Sequence, residues 1–170
     1  MPELPEVETI ARSLRNPPVQ ADFSIIGRKI QEIRVLWDKT LVNLSPDSFI
    51  TRAKHQTIES VGRRGKYLVI KLSKDTLLIH LRMSGDLRVE STLHASGTPI
   101  PIQKHDRLVL EFDSNIRLAF VNPRKFGRVW LVADPNEILG ALGPEPLGSH
   151  LDGKLFHSML KRHKRQLKPL

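Results

Sequence analysis

A series of short apolar segments separated by turn residues constrains the fold of this chain more than any other feature. Within one of them, Leu108, Leu110 and Phe112 alternate with residues that face the other way, which is typical of a half-buried strand. The sequence DSN that follows is a turn. The predicted strands are 25–37, 57–61, 67–72, 76–81, 86–90, 107–112, 116–121 and 128–132. About eight short strands with turns between them predict an antiparallel sandwich or barrel.

A few helices accompany these strands. Residues 6–15 place four apolar side chains on one face of a helix, with Pro5 in its first turn. A second helix is predicted over 45–53, a short one after Asp134-Pro135, and a last one around residues 155–160. The predicted architecture is therefore mainly β with flanking helices, one of them N-terminal.

The charge of the chain favours a polyanionic partner, nucleic acid first and an acidic membrane surface second. Its 27 Lys and Arg outnumber 18 Asp and Glu, for a formal net charge of +9. Residues 151–170 alone hold six basic residues and one acidic residue, so this tail could bind phosphates, although a solvated helix end has the same pattern.

Several classes of protein are disfavoured by the composition. The chain contains no Cys, which excludes disulfides and cysteine-based zinc sites within it. No apolar run approaches the ~20 residues that span a bilayer. The acidic start MPELPEVE does not resemble a secretory signal, so we expect a cytoplasmic protein.

The N-terminus offers unusual chemistry. Removal of Met1 would expose Pro2 as a secondary amine, and an α-amino group with a pKa of ~7.7–8.0 is partly neutral near pH 7. A neutral amine can attack an electrophilic carbon and form an iminium, while Glu3 and Glu6 could move protons. Pro and Glu are also common in first helical turns, so the pattern alone fits a purely structural role.

Two basic loops and two further positions are the other candidates for a functional role. The run 62–67, GRRGKY, surrounds Lys66 with glycines and arginines and could hold a phosphate, or be an ordinary solvated turn. The run 122–127, NPRKFG, joins cations to Phe126, which could be a wedge between base steps or a core residue. Met83 at a strand end is more often core filler, and His105 before a strand is usually structural.

Six ordered motifs resemble bacterial formamidopyrimidine-DNA glycosylases, the base-excision enzymes for oxidised purines. The motifs are MPELPEVET at the N-terminus, RRGKYL at 63–68, HLRMSGDLRV at 80–89, KHD at 104–106, NPRKFG at 122–127 and LGPEPL at 142–147. The resemblance covers essentially the whole chain but only the N-terminal part of a family member. It implies a two-layer antiparallel β-sandwich with flanking helices. It also implies a bifunctional glycosylase and abasic-site lyase that acts on damaged double-stranded DNA.

The resemblance also implies residue roles. Pro2 would attack the sugar C1′ of a flipped nucleotide, Glu3 would donate a proton during base loss, and Glu6 would support the nucleophile. Lys66 would contact the damaged nucleotide and assist elimination. The residues implied to contact DNA are His105 and Arg124 at phosphates, Met83, Arg124 and Phe126 in the gap left by the base, and Lys164 in the basic tail.

We expect residues 1–147 to form the catalytic domain and residues 148–170 to form a basic linker or helix. That linker would lead into a missing helix–two-turn–helix segment, so the chain is expected to be a truncated domain. The family's Cys₄ zinc finger is absent from it, and no cofactor is expected in this chain. A monomer associated with the bacterial nucleoid, without membrane contact, is expected. A non-catalytic DNA-binding module and a basic sandwich that binds RNA or protein remain open.

Overall fold

The computed structural model describes residues 2–17, 24–145, 148 and 151–162. The chain divides into two compact units, Met1–Gly140 and Ala141–Leu170. The first unit contains every strand described below, and the second contains one described helix. The predicted division between residues 147 and 148 stays a prediction.

The first unit contains two antiparallel sheets of four strands each. The strands are β1 (Ile30–Val35), β2 (Ile58–Arg64), β3 (Tyr67–Leu72), β4 (Thr76–His80), β5 (Asp86–Ser91), β6 (Asp106–Phe112), β7 (Ile116–Val121) and β8 (Arg128–Val132). The first sheet has the order β1-β6-β7-β5 and the second has the order β2-β3-β4-β8. The prediction of an eight-stranded sandwich with flanking helices is confirmed, and the barrel alternative is wrong because the strands form two separate sheets.

The core lies between the two sheets, because alternate residues of the inner strands face it. In β6, Leu108 and Leu110 are buried, and in β7 Leu118 and Phe120 pack with them. Leu77 of β4, from the other sheet, belongs to the same buried cluster. Fully burying a side chain of this size stabilises the fold by about 1.5–3 kcal/mol.

The residues that the structure describes form four α-helices. They are α1 (Leu4–Arg15), α2 (Pro46–Ala53), α3 (Asn136–Leu139) and, in the second unit, α4 (Gly153–Arg162). Helix α1 buries Val7, Ala11 and Leu14, the apolar face that the spacing predicts. No helix within the described part of the chain is long and apolar enough to cross a membrane.

Two of the element boundaries that differ from the sequence-based expectation have a clear local cause. The strand predicted over 25–37 begins only at Ile30, because Gly27 adopts a φ of +81° in the turn before it. Helix α1 begins at Leu4 rather than at residue 6, because Glu3 acts as its N-cap. The N-terminal carboxylates therefore belong to the helix start itself.

The strand register brings four connecting segments to one end of the sandwich. In the second sheet, His80 at the end of β4 pairs with Tyr67 at the start of β3 and with Arg128 at the start of β8. In the first sheet, Val121 at the end of β7 pairs with Asp86 of β5 and Asp106 of β6. Loops 81–85 and 122–127 both pass from one sheet to the other here. We call this the crossover end; the turn between β2 and β3 and the loop that precedes β6 also reach it.

Candidate nucleic-acid interface

The first turn of α1 groups two carboxylates next to Pro2. The backbone N–H of Glu3 donates to Oε2 of Glu6 at 3.0 Å, as part of a capping box between the two residues. Both glutamates are exposed and Pro2 is half-buried. The Glu6 carboxylate is therefore held one peptide unit from the Pro2 nitrogen, where it can exchange protons with solvent or with a ligand.

An ion pair fixes α1 to the β2–β3 turn. Nε of Arg63 donates to Oε2 of Glu8 at 2.9 Å, and Nη1 of Arg63 donates to the carbonyl of Gly65 at 3.1 Å. The hydrogen bond from Arg63, assisted by Arg12, lowers the pKa of Glu8. Arg63 therefore links α1 to the β2–β3 turn and fixes the position of the turn relative to the helix. Lys66, which follows Gly65, lies in this turn.

His80 lies beside Lys66 and was not among the residues singled out from the sequence. Its Nδ1 accepts the backbone N–H of Arg82 at 3.1 Å, and its ring meets the Tyr67 ring edge-on at 4.8 Å between centroids. Burial, followed by the charges of Arg82 and Lys66, lowers the pKa of His80 to about 4. The ring is therefore neutral near pH 7, with Nε2 as its N–H donor. Only its position at the end of a buried strand before a cationic loop could have indicated it.

The two crossover loops together form an open pocket of about 390 Å³. Its lining residues are Arg82, Met83, Phe126 and Arg128. Met83 is 49% exposed and Phe126 is 52% exposed, so neither side chain belongs to the core. The interpretation of these two residues as core filler is wrong, and Phe126 has the exposure expected of a wedge.

The backbone of loop 122–127 is held by contacts beneath it. Nη1 of Arg128 donates to the carbonyls of Lys125 at 3.2 Å, Phe126 at 3.3 Å and Gly127 at 3.1 Å. A Cβ on Gly127 would overlap the side chains of Asn122 and Phe120, so the loop packs closely on the core at this point. Phe126 is thus presented on a supported loop rather than on a free one.

His105 and Arg124 lie on neighbouring segments of the crossover end. The backbone N–H of Asn122 donates to the His105 carbonyl at 2.8 Å, which ties the loop before β6 to loop 122–127. His105, Arg124 and Arg82 are exposed. Within the described ranges, no salt bridge involves Arg82, Lys104 or Arg124. The crossover end thus combines uncompensated cations with exposed apolar side chains, a composition that suits a distorted nucleic acid.

Two further sequence-based expectations concern Lys164 and metal binding. Lys164 falls outside the described residues. Among the residues that the structure does describe, no group of His, Asp and Glu could hold a metal ion.

The sequence matches one family model. The model for the formamidopyrimidine-DNA glycosylase N-terminal domain covers residues 1–129. The chain is 39% identical over 171 residues to the formamidopyrimidine-DNA glycosylase of Protochlamydia amoebophila, covering 100% of this chain and 58% of that protein. It is also 39% identical over 173 residues to the Ligilactobacillus salivarius enzyme of the same name, again covering 58% of it. The chain therefore spans little more than half the length of these relatives.

Solved structures of similar proteins include complexes with DNA. Lactococcus lactis formamidopyrimidine-DNA glycosylase bound non-covalently to DNA with an AP site superposes with a TM-score of 0.81 at 31% identity. That match covers 99% of this chain and 61% of the other. A second complex of the Lactococcus lactis protein, with DNA that contains an abasic site, gives a TM-score of 0.77 at 32% identity and covers 95% of this chain and 57% of the other.

Proposed function

The chain belongs to the formamidopyrimidine-DNA glycosylase family, and on that premise we propose that it supplies the catalytic domain of a base-excision repair enzyme. The whole protein would be a bifunctional DNA glycosylase and abasic-site lyase for oxidised purines in double-stranded DNA. One observation carries the proposal. The strand register gathers Lys66, Met83, His105, Arg124 and Phe126 at the crossover end, where cations and exposed apolar side chains adjoin.

Pro2 would be the nucleophile once Met1 has been removed. Its nitrogen attacks C1′ of the damaged nucleotide, the bond from C1′ to the base breaks, and the base leaves with a proton that Glu3 donates. The bond between C1′ and the ring oxygen O4′ then breaks, and O4′ takes the proton that the Pro2 nitrogen loses, which gives an iminium between Pro2 and C1′. The capping-box contact supports a role for Glu6, because it holds that carboxylate one peptide unit from the attacking nitrogen.

Elimination would follow base loss. The iminium acidifies the hydrogen on C2′, so a base can remove this proton while the bond between C3′ and its phosphate oxygen breaks. The strand is cut, and water then releases Pro2 from the sugar fragment. Lys66 would contact the damaged nucleotide and assist this step, and the link from Arg63 to Glu8 supports its placement near α1.

The remaining residues would hold a kinked duplex. His105 and Arg124 would bind phosphates, while Met83, Arg124 and Phe126 would occupy the gap left by the flipped nucleotide. Flipping costs a few kcal/mol, and inserted side chains offset part of that cost. The open pocket between Met83 and Phe126 is consistent with such insertion. Lys164 would add a phosphate contact from the basic tail.

The cellular setting follows from the proposed substrate. The relatives reported above are bacterial enzymes, and we place the protein in the cytoplasm, at the nucleoid, as a monomer. The chain contributes no Cys, so it supplies no ligand to a cysteine zinc finger.

Strand cleavage of a duplex with one oxidised purine tests the activity. We expect cleavage at the lesion and none in a matched intact duplex. A non-catalytic DNA-binding module would bind the lesion duplex preferentially without cutting it. A basic sandwich that binds RNA or protein would show no preference for lesion or abasic DNA.

Salt dependence tests the phosphate contacts separately. The logarithm of the DNA-binding constant should fall steeply with the logarithm of salt concentration, by about 0.9 per phosphate contacted. Arg124→Met should reduce the slope by about that amount. Lys71→Met is the matched control, because Lys71 pairs with Glu59 and lies at the opposite end of β3. A slope near zero for the unaltered chain would contradict electrostatic binding.

A further inference from the structure

Arg107 is a buried cation whose side chain, among the residues that the structure describes, bonds only to backbone carbonyls. It lies near the start of β6 and is 8% exposed. Its Nε donates to the Asn122 carbonyl at 2.9 Å, and its Nη1 donates to the Lys104 carbonyl at 3.2 Å and the Asp106 carbonyl at 3.4 Å. In the part of the chain that the structure describes, no carboxylate forms a salt bridge with it. A buried guanidinium so arranged links backbone segments.

The segments that Arg107 links carry different DNA-contact residues. Lys104 precedes His105 in the loop before β6, whereas Asn122 begins the loop that presents Arg124 and Phe126. The backbone of Asn122 forms hydrogen bonds with His105, Arg107 and Lys125. Its N–H donates to the His105 carbonyl at 2.8 Å, and its carbonyl accepts both Arg107 and the Lys125 N–H, the latter at 3.2 Å.

The rest of the loop before β6 is anchored independently. Arg117 donates to the carbonyls of Ile100 at 3.0 Å and Pro101 at 2.9 Å. The Asp106 carboxylate accepts the Gln103 N–H at 2.9 Å and is paired with Arg88 at 3.0 Å. These contacts hold the loop to the first sheet. Arg107 differs from Arg117 because its guanidinium also reaches loop 122–127.

We propose that Arg107 is a positioning residue that couples the phosphate contact at His105 to the wedge at Phe126. It fixes the separation of the two segments, so that a phosphate held by His105 places the kinked step opposite Phe126. The inference rests on the proposed function, since it concerns how two DNA contacts act together. Lys cannot replace Arg here, because an ammonium group lacks the planar fork that bonds two carbonyls in fixed directions.

A double-mutant cycle on DNA binding tests the coupling. The full chain is titrated with a duplex that contains a tetrahydrofuran abasic analogue. The cycle combines His105→Ala with Phe126→Ala, in the unaltered chain and in the Arg107→Lys and Arg117→Lys backgrounds. In the unaltered chain, the double substitution should raise the dissociation constant by a factor that differs, by about threefold or more, from the product of the factors for the two single substitutions. In Arg107→Lys the losses should multiply to within about twofold, while Arg117→Lys should keep the coupling.

Two further measurements separate positioning from charge and from stability. Arg107→Lys keeps the charge, so its salt slope should match that of the unaltered chain. Hydrogen exchange at the Asn122 N–H should accelerate in Arg107→Lys and stay slow in Arg117→Lys. If Arg107→Lys does not fold, Arg107→Gln replaces it in the double-mutant cycle and in the hydrogen-exchange measurement, because a single amide group cannot join the carbonyls that the guanidinium joins; the salt slope is then compared only between the unaltered chain and Arg117→Lys.

The outcomes distinguish this inference from the proposed function. Three results would overturn the role of Arg107. The coupling between His105 and Phe126 could be absent from the unaltered chain, it could persist in Arg107→Lys, or it could disappear equally in Arg117→Lys. If the unaltered chain binds abasic and intact duplexes equally, the proposed function fails first and the inference falls with it.

Discussion

The side-chain nitrogen of Lys125 lies 3.8 Å from the centre of the Trp37 ring, above its face. Lys125 also adopts a φ of +61°, a conformation that a side-chain-bearing residue keeps only when its surroundings hold it there. Trp37 follows β1, outside the crossover loops. The contact therefore braces, from the side, the loop 122–127 that presents Phe126.

The first prediction concerns this brace. A double-mutant cycle of Lys125→Met and Trp37→Leu should give a coupling of about 0.5–1 kcal/mol in the free energy of unfolding, the size of an exposed cation–π contact. Lys125→Arg should retain the coupling. Lys39→Met provides the control, since Lys39 is exposed nearby but belongs to the short 3-10 helix Asp38–Thr40. Urea denaturation measures all variants, and equal coupling for Lys39 and Lys125 would contradict a specific ring contact.

The second prediction separates Phe126 from the core. Phe126→Ala should leave the free energy of unfolding nearly unchanged, because the side chain is 52% exposed. Phe120→Ala, at 1% exposure, should cost about 3–5 kcal/mol. In binding assays at one salt concentration, Phe126→Ala should lose its preference for damaged over intact duplex while keeping its phosphate-driven affinity. A large loss of stability with unchanged lesion preference would contradict the wedge.

The sequence predicted most of the fold because the core of a sandwich leaves a local signal. The turn after β6 depends on neighbours in the chain and is present in the structure as predicted. The half-buried character predicted for β6 is wrong, because Arg107 and Val109 are buried together with Leu108, Leu110 and Phe112. The start of β1 was missed for a tertiary reason. Residues 25–37 taken together are apolar enough for a strand, but Gly27 turns and its N–H bonds to the Ile58 carbonyl. Such long-range pairing is not visible in a local pattern.

The third prediction concerns pH. The pKa of His80 is lowered to about 4 from an ordinary 6.5, so the unfolded chain binds this proton more readily than the folded chain. The His80 contribution to stability is therefore fully present above pH 6.5 and declines as the pH falls from 6.5 to 4. An NMR titration of the His80 Cε1–H should give a midpoint near 4, with His80→Gln to identify the signal. A midpoint near 6.5 would show that the ring is solvated.

The fourth prediction concerns the packing under loop 122–127. Gly127→Ala should destabilise the fold by about 1–3 kcal/mol, because its Cβ would overlap Phe120 and Asn122, which are both buried. Gly62→Ala is the control, since a Cβ at Gly62 meets open space. Thermal or urea unfolding of the two variants provides the comparison. Equal stability for both would mean that the loop can shift away from the core without cost.

The candidate site was less accessible to sequence reasoning than the fold. Exposure of Phe126 could be predicted because a loop bounded by Pro and Gly surrounds it. Arg107 occupies an ordinary strand position, which gives no sequence signal, and the only signal for His80 is its place at the end of an apolar strand before a cationic loop. Their environments depend on which strands pair at the crossover end. Likewise, Arg63 lies in a motif that could hold a phosphate, yet its guanidinium forms a salt bridge with Glu8 of α1.

Covalent trapping tests the central claim, that Pro2 is the nucleophile. The chain is incubated with an abasic duplex and sodium borohydride, its intact mass is measured, and the DNA-linked peptide is located after proteolysis. We expect a cross-link on the peptide that begins with Pro2, in molecules whose mass shows that Met1 has been removed, and a much weaker one in Pro2→Gly. A cross-link at Lys66, or one that forms equally well while Met1 is retained, would contradict the account.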